Sequence, residues 1–166
     1  MKWRKLYTSE QFDAACNTYD ISPIYLLNEK ADKDVWEKVY ISSLKRTRDT
    51  AEQLFGSIEL VETELLNEVP LKSFCDSKVL LPLWIWNIVG RIQWMFGSDR
   101  QDEVRTDTKR RADMLIAELI HKNSDCILIS HGFFMKTLVQ ELRKQDFVIN
   151  KGKLRFKNLE KVIAEK

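Results

Sequence analysis

His131, Arg46 and Glu68 are the side chains of this sequence whose surroundings could do chemistry. His131 stands in Ser130-His131-Gly132. Ahead of it runs Cys126-Ile127-Leu128-Ile129, and behind it Phe134, Leu138 and Leu142 recur every fourth residue, with Met135 and Val139 beside them. The apolar run has the length and branching of a strand covered on both faces, and the later spacing is that of a helix with one buried side. The imidazole would then sit where strand passes into helix, beside the unpaired N–H groups of the helix start. Anions bind at such places, because the orphan donors and the helix dipole both favour negative charge. For a lone His-Gly pair, a glycine turn with an incidental polar residue is the plainer alternative.

Arg46 lies in Ser42-Ser43-Leu44-Lys45-Arg46-Thr47-Arg48, which places three cations in the first turn and a half of the expected helix. Each is unfavourable there by roughly 0.3–1 kcal/mol, because the positive end of the dipole is close. Lys45 and Arg48 read as solvated side chains that point away. For Arg46, an anion gathering the guanidinium and the helix N–H groups would turn the cost into a gain, and a phosphoryl group is the natural candidate. Glu68 precedes Val69-Pro70, on a turn at a strand end. Held there and partly desolvated, its carboxyl could stay protonated and donate to a leaving oxygen. On spacing alone, an ordinary surface glutamate among Glu59, Glu62 and Glu64 is the commoner reading.

Other phosphate chemistries fail on spacing. A thiolate phosphatase needs an arginine six positions after its cysteine. Ser22, Leu81 and Gly132 stand at that distance from Cys16, Cys75 and Cys126. Asp32-Lys33-Asp34 has no apolar strand before it, and no G-x-x-x-x-G-K-[ST] loop is present. His121, expected at a helix C-terminus, is explained by favourable contact with the dipole.

The elements that must position these residues read as follows. Thr8-Ser9-Glu10-Gln11 is a capping box that opens a helix to about residue 18. Residues 32–37 read as a short helix or polar turn and 38–42 as a strand. Ser42 or Ser43 caps a helix over 44–55, with Gly56 at its left-handed stop. Residues 58–61 and 64–66 read as brief extended pieces. Ser98-Asp99-Arg100-Gln101 is a second capping box, opening a helix to about residue 121 whose inward set is Val104, Ala112, Leu115, Ile116, Leu119 and Ile120. Residues 147–149 and 153–159 alternate like edge strands around an Asn150-Lys151-Gly152 turn. The Trp-rich stretch 79–97 is interrupted by Pro82, Asn87, Arg91 and Gln93. It reads as an amphipathic element, since a spanning helix wants about 20 mostly apolar residues. The order of elements is that of an α/β protein.

With 166 residues, the chain is expected to form a single domain, 1–166. A net charge of +2 without long runs of one sign argues against nucleic acid as a partner. Three cysteines without C-x-x-C spacing and two histidines make a metal site improbable and suit reduced thiols in a cytoplasmic protein. No signal peptide and no membrane association are expected.

Taken in order, Ser42-Ser43-Leu44-Lys45-Arg46 with Thr50-Ala51-Glu52, Leu66-Asn67-Glu68, and Ile127-Leu128-Ile129-Ser130-His131-Gly132 resemble the histidine phosphatase superfamily, the phosphoglycerate mutase-like fold. The match runs from about residue 6 onward, with Ser43 where the family has proline. The resemblance implies a three-layer α/β/α domain with a mostly parallel sheet and residues 79–97 as an inserted Trp-rich cap. It also implies phosphoryl transfer without metal or cofactor, on a phosphorylated small molecule or phosphoprotein. By position, Arg46 and His131, with Ser42, match the phosphate-binding set, and Glu68 matches the proton donor. The family's opening strand, ending in Arg-His-Gly with the histidine that becomes phosphohistidine, has no counterpart in this sequence. Two expectations follow. Met1 is an internal methionine of a longer phosphomonoesterase, or the chain is an inactive relative that binds a phospho-ligand or a partner. Self-association through the Trp-rich segment, giving a homo-oligomer, is a further expectation.

Overall fold

The structure, a computed structural model, describes residues 6–24, 38–152, 155 and 159–166. In chain order its elements are β1 (Leu6–Tyr7), α1 (Ser9–Ile21), β2 (Lys38–Ile41), α2 (Lys45–Phe55), β3 (Leu60–Glu62), a 3-10 turn (Glu64–Leu66), β4 (Leu81–Pro82), α3 (Leu83–Phe96), α4 (Arg105–Lys122), β5 (Cys126–Ile129), α5 (Gly132–Lys144), β6 (Val148–Ile149) and β7 (Ala164–Glu165). They fall into two compact units. One joins Met1–Pro23 to Val69–Thr108, and the other joins Ile24–Glu68 to Lys109–Lys166.

The second unit carries the parallel sheet, in the order β3-β2-β5. Val39 pairs with Leu60 and with Ile127, and Ile41 pairs with Glu62 and with Ile129. β2 is the central strand, and Val39, Tyr40 and Ile41 are all buried, as a strand covered on both faces requires. On one face Val39 and Ile41 pack with Ala51 and Phe55 of α2, and Leu54, Ile58, Ile127 and Ile129 close around them. On the other, the Tyr40 ring lies 5.2 Å below Lys122 Nζ. The apolar run of β5 read as a strand covered on both faces, but all four of its residues are only half-buried. Among the described residues β5 pairs on one side only, with β2, which places it at the edge of the sheet.

In the first unit, the Thr8 capping box forms: the Thr8 hydroxyl accepts from Gln11 N, and the Gln11 side chain accepts from Thr8 N. β1 and β4 pair antiparallel. Phe12, Leu83 and Trp86 form the core, with the Trp86 ring 5.6 Å from Phe12 and 4.6 Å from Phe74. The indole Nε1 donates to Tyr7 O at 3.0 Å, so this buried tryptophan is satisfied. Trp94 likewise donates to Thr108 Oγ1 at 3.0 Å. Trp84, Ile88, Ile92, Met95 and Phe96 are exposed.

Some boundaries differ from the sequence expectations. Ser98 to Gln101 does not open a helix, and α4 starts at Arg105. The Gln101 amide is drawn away to Lys72, accepting from its N–H and donating to its carbonyl, both at 3.0 Å, so it cannot turn back to a cap. Ile120 faces solvent, and Thr108 takes a buried place on α4. Residues 64–66 coil into a 3-10 turn capped by the Thr63 hydroxyl instead of extending. Gly56 has φ 66° as the stop position requires, but ψ −136° puts it outside the left-handed helical region. β6 pairs with β7, in a register set by Asn150 N to Ile163 O at 3.1 Å and Ile163 N to Asn150 Oδ1 at 2.9 Å. The expected strand 153–159 lies largely outside the described residues, as does the expected element at 32–37.

Candidate active site

All four residues singled out from the sequence lie in the unit that carries the parallel sheet. β2 ends at Ile41 and β5 at Ile129, and these two residues are paired, so parallel register sets Ser42 level with Ser130 and leaves His131 one residue further on. The Ser42 and His131 side chains meet: Ser42 Oγ is 2.8 Å from His131 Nε2. The sequence expectation was Ser42 or Ser43 as the cap of α2. Instead Leu44 occupies the cap position with no side-chain bond. The Ser42 hydroxyl is engaged by Leu44 N (3.2 Å), Thr47 Oγ1 (2.8 Å) and His131. Ser43 is held by Asn67, whose Oδ1 accepts from its N–H and its hydroxyl, both at 2.9 Å.

His131 caps α5, and the N–H groups behind it are those at which an anion was expected. That place is taken by a carboxylate of the chain itself. Phe134 N donates to Glu68 Oε1 at 2.9 Å and Phe133 N to Oε2 at 3.3 Å. Glu68 therefore sits against the start of α5, in contact with the helix of His131, and is more than a surface residue. Ser130 Oγ donates to Leu66 O at 2.7 Å and ties the same turn to the end of β5. Arg46 stands in the first turn of α2 and is half-buried. Of the cations beside it, Lys45 pairs with Asp49 at 2.5 Å and Arg48 pairs with Glu62, both on the surface.

The His131 imidazole feels this surrounding. Burial is the largest influence and pushes its pKa down from 6.5. Glu68 pushes it up, and the positive charges of Arg46 and Arg111 push it down again. The net direction is down, so the ring rests neutral near pH 7. Arg46 and Glu68 thus both act on the His131 ring through their charges.

Arg111 is not among the residues that the sequence singles out. Its Nη1 donates to the carbonyls of Asn67 (2.6 Å), Leu65 (3.2 Å) and Glu64 (3.3 Å). Its guanidinium carbon lies 4.3 Å from the Phe134 ring centroid. It therefore grips both segments that hold Glu68. A signal existed: 108, 111, 112 and 115 follow helical spacing on the buried side of α4.

A family model described as histidine phosphatase superfamily (branch 1) matches residues 24–151. The chain belongs to this superfamily. No curated protein matches the chain significantly. Among solved structures, it is similar to the product of a Mycobacterium tuberculosis open reading frame (18% identity, TM-score 0.46, covering 81% of this chain and 62% of that one). It is also similar to a phosphoserine phosphatase variant from Entamoeba histolytica in complex with phosphoserine (21%, 0.48, 66% and 57%). A third is a mycobacterial glucosyl-3-phosphoglycerate phosphatase (21%, 0.48, 65% and 59%). The chain spans less than two thirds of each of these structures.

In histidine phosphatase terms, the unit gathers at the carboxyl ends of two parallel strands a cation, an imidazole and a carboxyl group. Ligands of open α/β sheets bind at that end. A guanidinium offers two parallel donors to an oxyanion. The neutral imidazole can become a second cation, and a carboxyl group can move a proton.

Proposed function

We propose that this chain carries the phosphate-binding and proton-donating part of a phosphomonoesterase site. Arg46 and His131 bind the equatorial phosphoryl oxygens, Ser42 orients the imidazole, and Glu68 protonates the leaving oxygen. The single observation that carries the reading is the convergence of Arg46 and Glu68 on His131 beside the Ser42–His131 contact at 2.8 Å. Each Glu68 oxygen that accepts a backbone N–H keeps a second lone pair, so a proton held there could pass to a substrate oxygen.

The two histidines are His121, in the last turn of α4, and His131, which follows Arg46 in the chain and sits among the binding residues. We therefore propose that the nucleophilic histidine is not among these 166 residues, and that the chain as it stands holds a phosphate without forming phosphohistidine. That inventory also favours the second reading, an inactive relative that binds a phosphorylated small molecule or phosphoprotein.

Calorimetric titration with inorganic phosphate tests the pocket. Charge-assisted hydrogen bonds contribute about 1.5–3 kcal/mol, so Arg46→Met should weaken binding by about tenfold or more. Arg48→Met, which removes a surface cation paired with Glu62, should change it by less than about twofold. Equal losses in both variants would mean diffuse attraction and no pocket at Arg46. Incubation with a labelled phosphate donor and an alkaline quench tests the nucleophile. A labelled histidine on this chain would defeat that part of the reading.

A further inference from the structure

We propose that Thr47 is a positioning residue: acting through Ser42, it fixes the tautomer of His131, so that the neutral imidazole carries its proton on Nε2 and leaves Nδ1 bare. The inference deepens the phosphate-site reading and rests on it for its use, but the tautomer itself is a property of the ligand-free protein.

Ser42 Oγ has three polar neighbours, Leu44 N at 3.2 Å, Thr47 Oγ1 at 2.8 Å and His131 Nε2 at 2.8 Å. A hydroxyl brings one proton and two lone pairs. Leu44 N–H can only donate, so it takes one lone pair. Thr47 Oγ1 lies 3.0 Å from Ser42 O and 2.9 Å from Leu44 O, and carbonyl oxygens can only accept. The single Thr47 proton is therefore shared between these carbonyls. Between the two hydroxyls, Ser42 must then donate and Thr47 accept. That uses the Ser42 proton and leaves one lone pair for His131, so the hydrogen of that contact must come from Nε2.

The opposite assignment turns the Ser42 proton to Nε2 and the Thr47 proton to Ser42 Oγ. It leaves Thr47 Oγ1 facing two carbonyl oxygens at 2.9 and 3.0 Å with no hydrogen between. Thr47 is 3% exposed and Ser42 1%, so water does not relieve the conflict. The first assignment satisfies every contact. His131 Nδ1 has no hydrogen-bond partner among the described residues, and it is the one ring position that can take a second proton. The charged groups that act on the ring are Glu68, Arg46 and Arg111. If the phosphate reading holds, the imidazole becomes a cation at one defined atom, and Thr47 is the residue that decides which.

Long-range proton–nitrogen correlation spectra of the imidazole rings, taken without ligand and above the titration of His131, test the assignment. There are two histidines, and a His121→Gln variant assigns the signals. Wild-type His131 should show a protonated Nε2 and an unprotonated Nδ1. In Thr47→Val, which keeps the volume and removes the acceptor, the Ser42 proton is free to turn to Nε2, and the two nitrogen signals should exchange character. Thr47→Ser should keep the wild-type pattern. A wild-type ring protonated on Nδ1, or an unchanged tautomer in Thr47→Val, would overturn the proposal. If Thr47→Val does not fold, Thr47→Ala carries the same expectation, and the wild-type spectrum still decides. No phosphate is present, so a protein that binds none leaves this result readable.

Discussion

Arg111 anchors the site by reaching two pieces of chain that are distant in sequence. Its Nη1 bonds the carbonyls of the turn before Glu68, and its guanidinium face covers Phe134, whose N–H holds the Glu68 carboxylate. Hydrogen bonds from a charged group contribute about 1.5–3 kcal/mol, and a cation over a ring about 0.5–2 kcal/mol. Arg111→Met should therefore lower stability by about 2 kcal/mol or more in urea denaturation. It also removes a positive charge that pushes the His131 pKa down, so a proton NMR titration of that ring should move upward. Arg111→Lys keeps the charge but loses the planar fork, and should reproduce most of the stability loss while moving the titration less. A stability loss with no movement of the ring in Arg111→Met would mean that the guanidinium field does not reach His131.

At the scale of elements, the residues that decided the site were legible where local pattern and chemistry coincide. Strand, His-Gly and helix at 126–142, and the cationic start of α2, each announced a position in the fold, and parallel pairing of β2 with β5 brought Ser42 level with Ser130, within side-chain reach of His131. The 3-10 turn at 64–66 was not legible, because its cap, Thr63, sits where an extended pattern also fits. The start of α4 was misplaced for a different reason. Gln101 has the spacing of a capping residue, but its amide is used by Lys72, far away in sequence. That clamp has a consequence for α3. A Cβ on Gly90 would lie 2.7 Å from Leu71 Cδ1 and 3.2 Å from Lys72 O. The leucine methyl can rotate aside, whereas the carbonyl is fixed by Gln101. Alanine in a helix interior gains about 1 kcal/mol over glycine, and overpacking typically costs about 1–3 kcal/mol. Gly90→Ala should therefore be net destabilising by thermal melting. A raised melting temperature would show that the Leu71–Lys72 segment yields.

For the whole molecule, groups that titrate on opposite sides of neutral pH shape stability, among them His131 in one compact unit and Cys16 in the other. His131 has a folded pKa below the 6.5 of a free imidazole, so below that value the unfolded chain binds a proton that the folded chain resists. Its contribution is complete above pH 6.5 and is lost as pH falls through the lowered folded value. Cys16 is the mirror case. Burial first, then Asp13 and Asp20, raise its thiol from 9.0 to about 11, while Arg91 acts in the opposite direction. Above pH 9.0 the unfolded chain releases a proton that the folded chain keeps, so stability declines from there as pH rises through about 11. The sum is a plateau between about pH 6.5 and 9 with a shoulder on each side. Urea denaturation from below pH 6.5 to about pH 11, followed by circular dichroism, should trace it. His131→Asn should remove the acid shoulder and leave the alkaline one, and Cys16→Ala should reduce the alkaline shoulder, to which the half-buried Cys126 thiol also contributes, and leave the acid one. An acid shoulder that survives His131→Asn unchanged would assign it to carboxylates, and would mean that burial of the imidazole is too weak to hold it neutral.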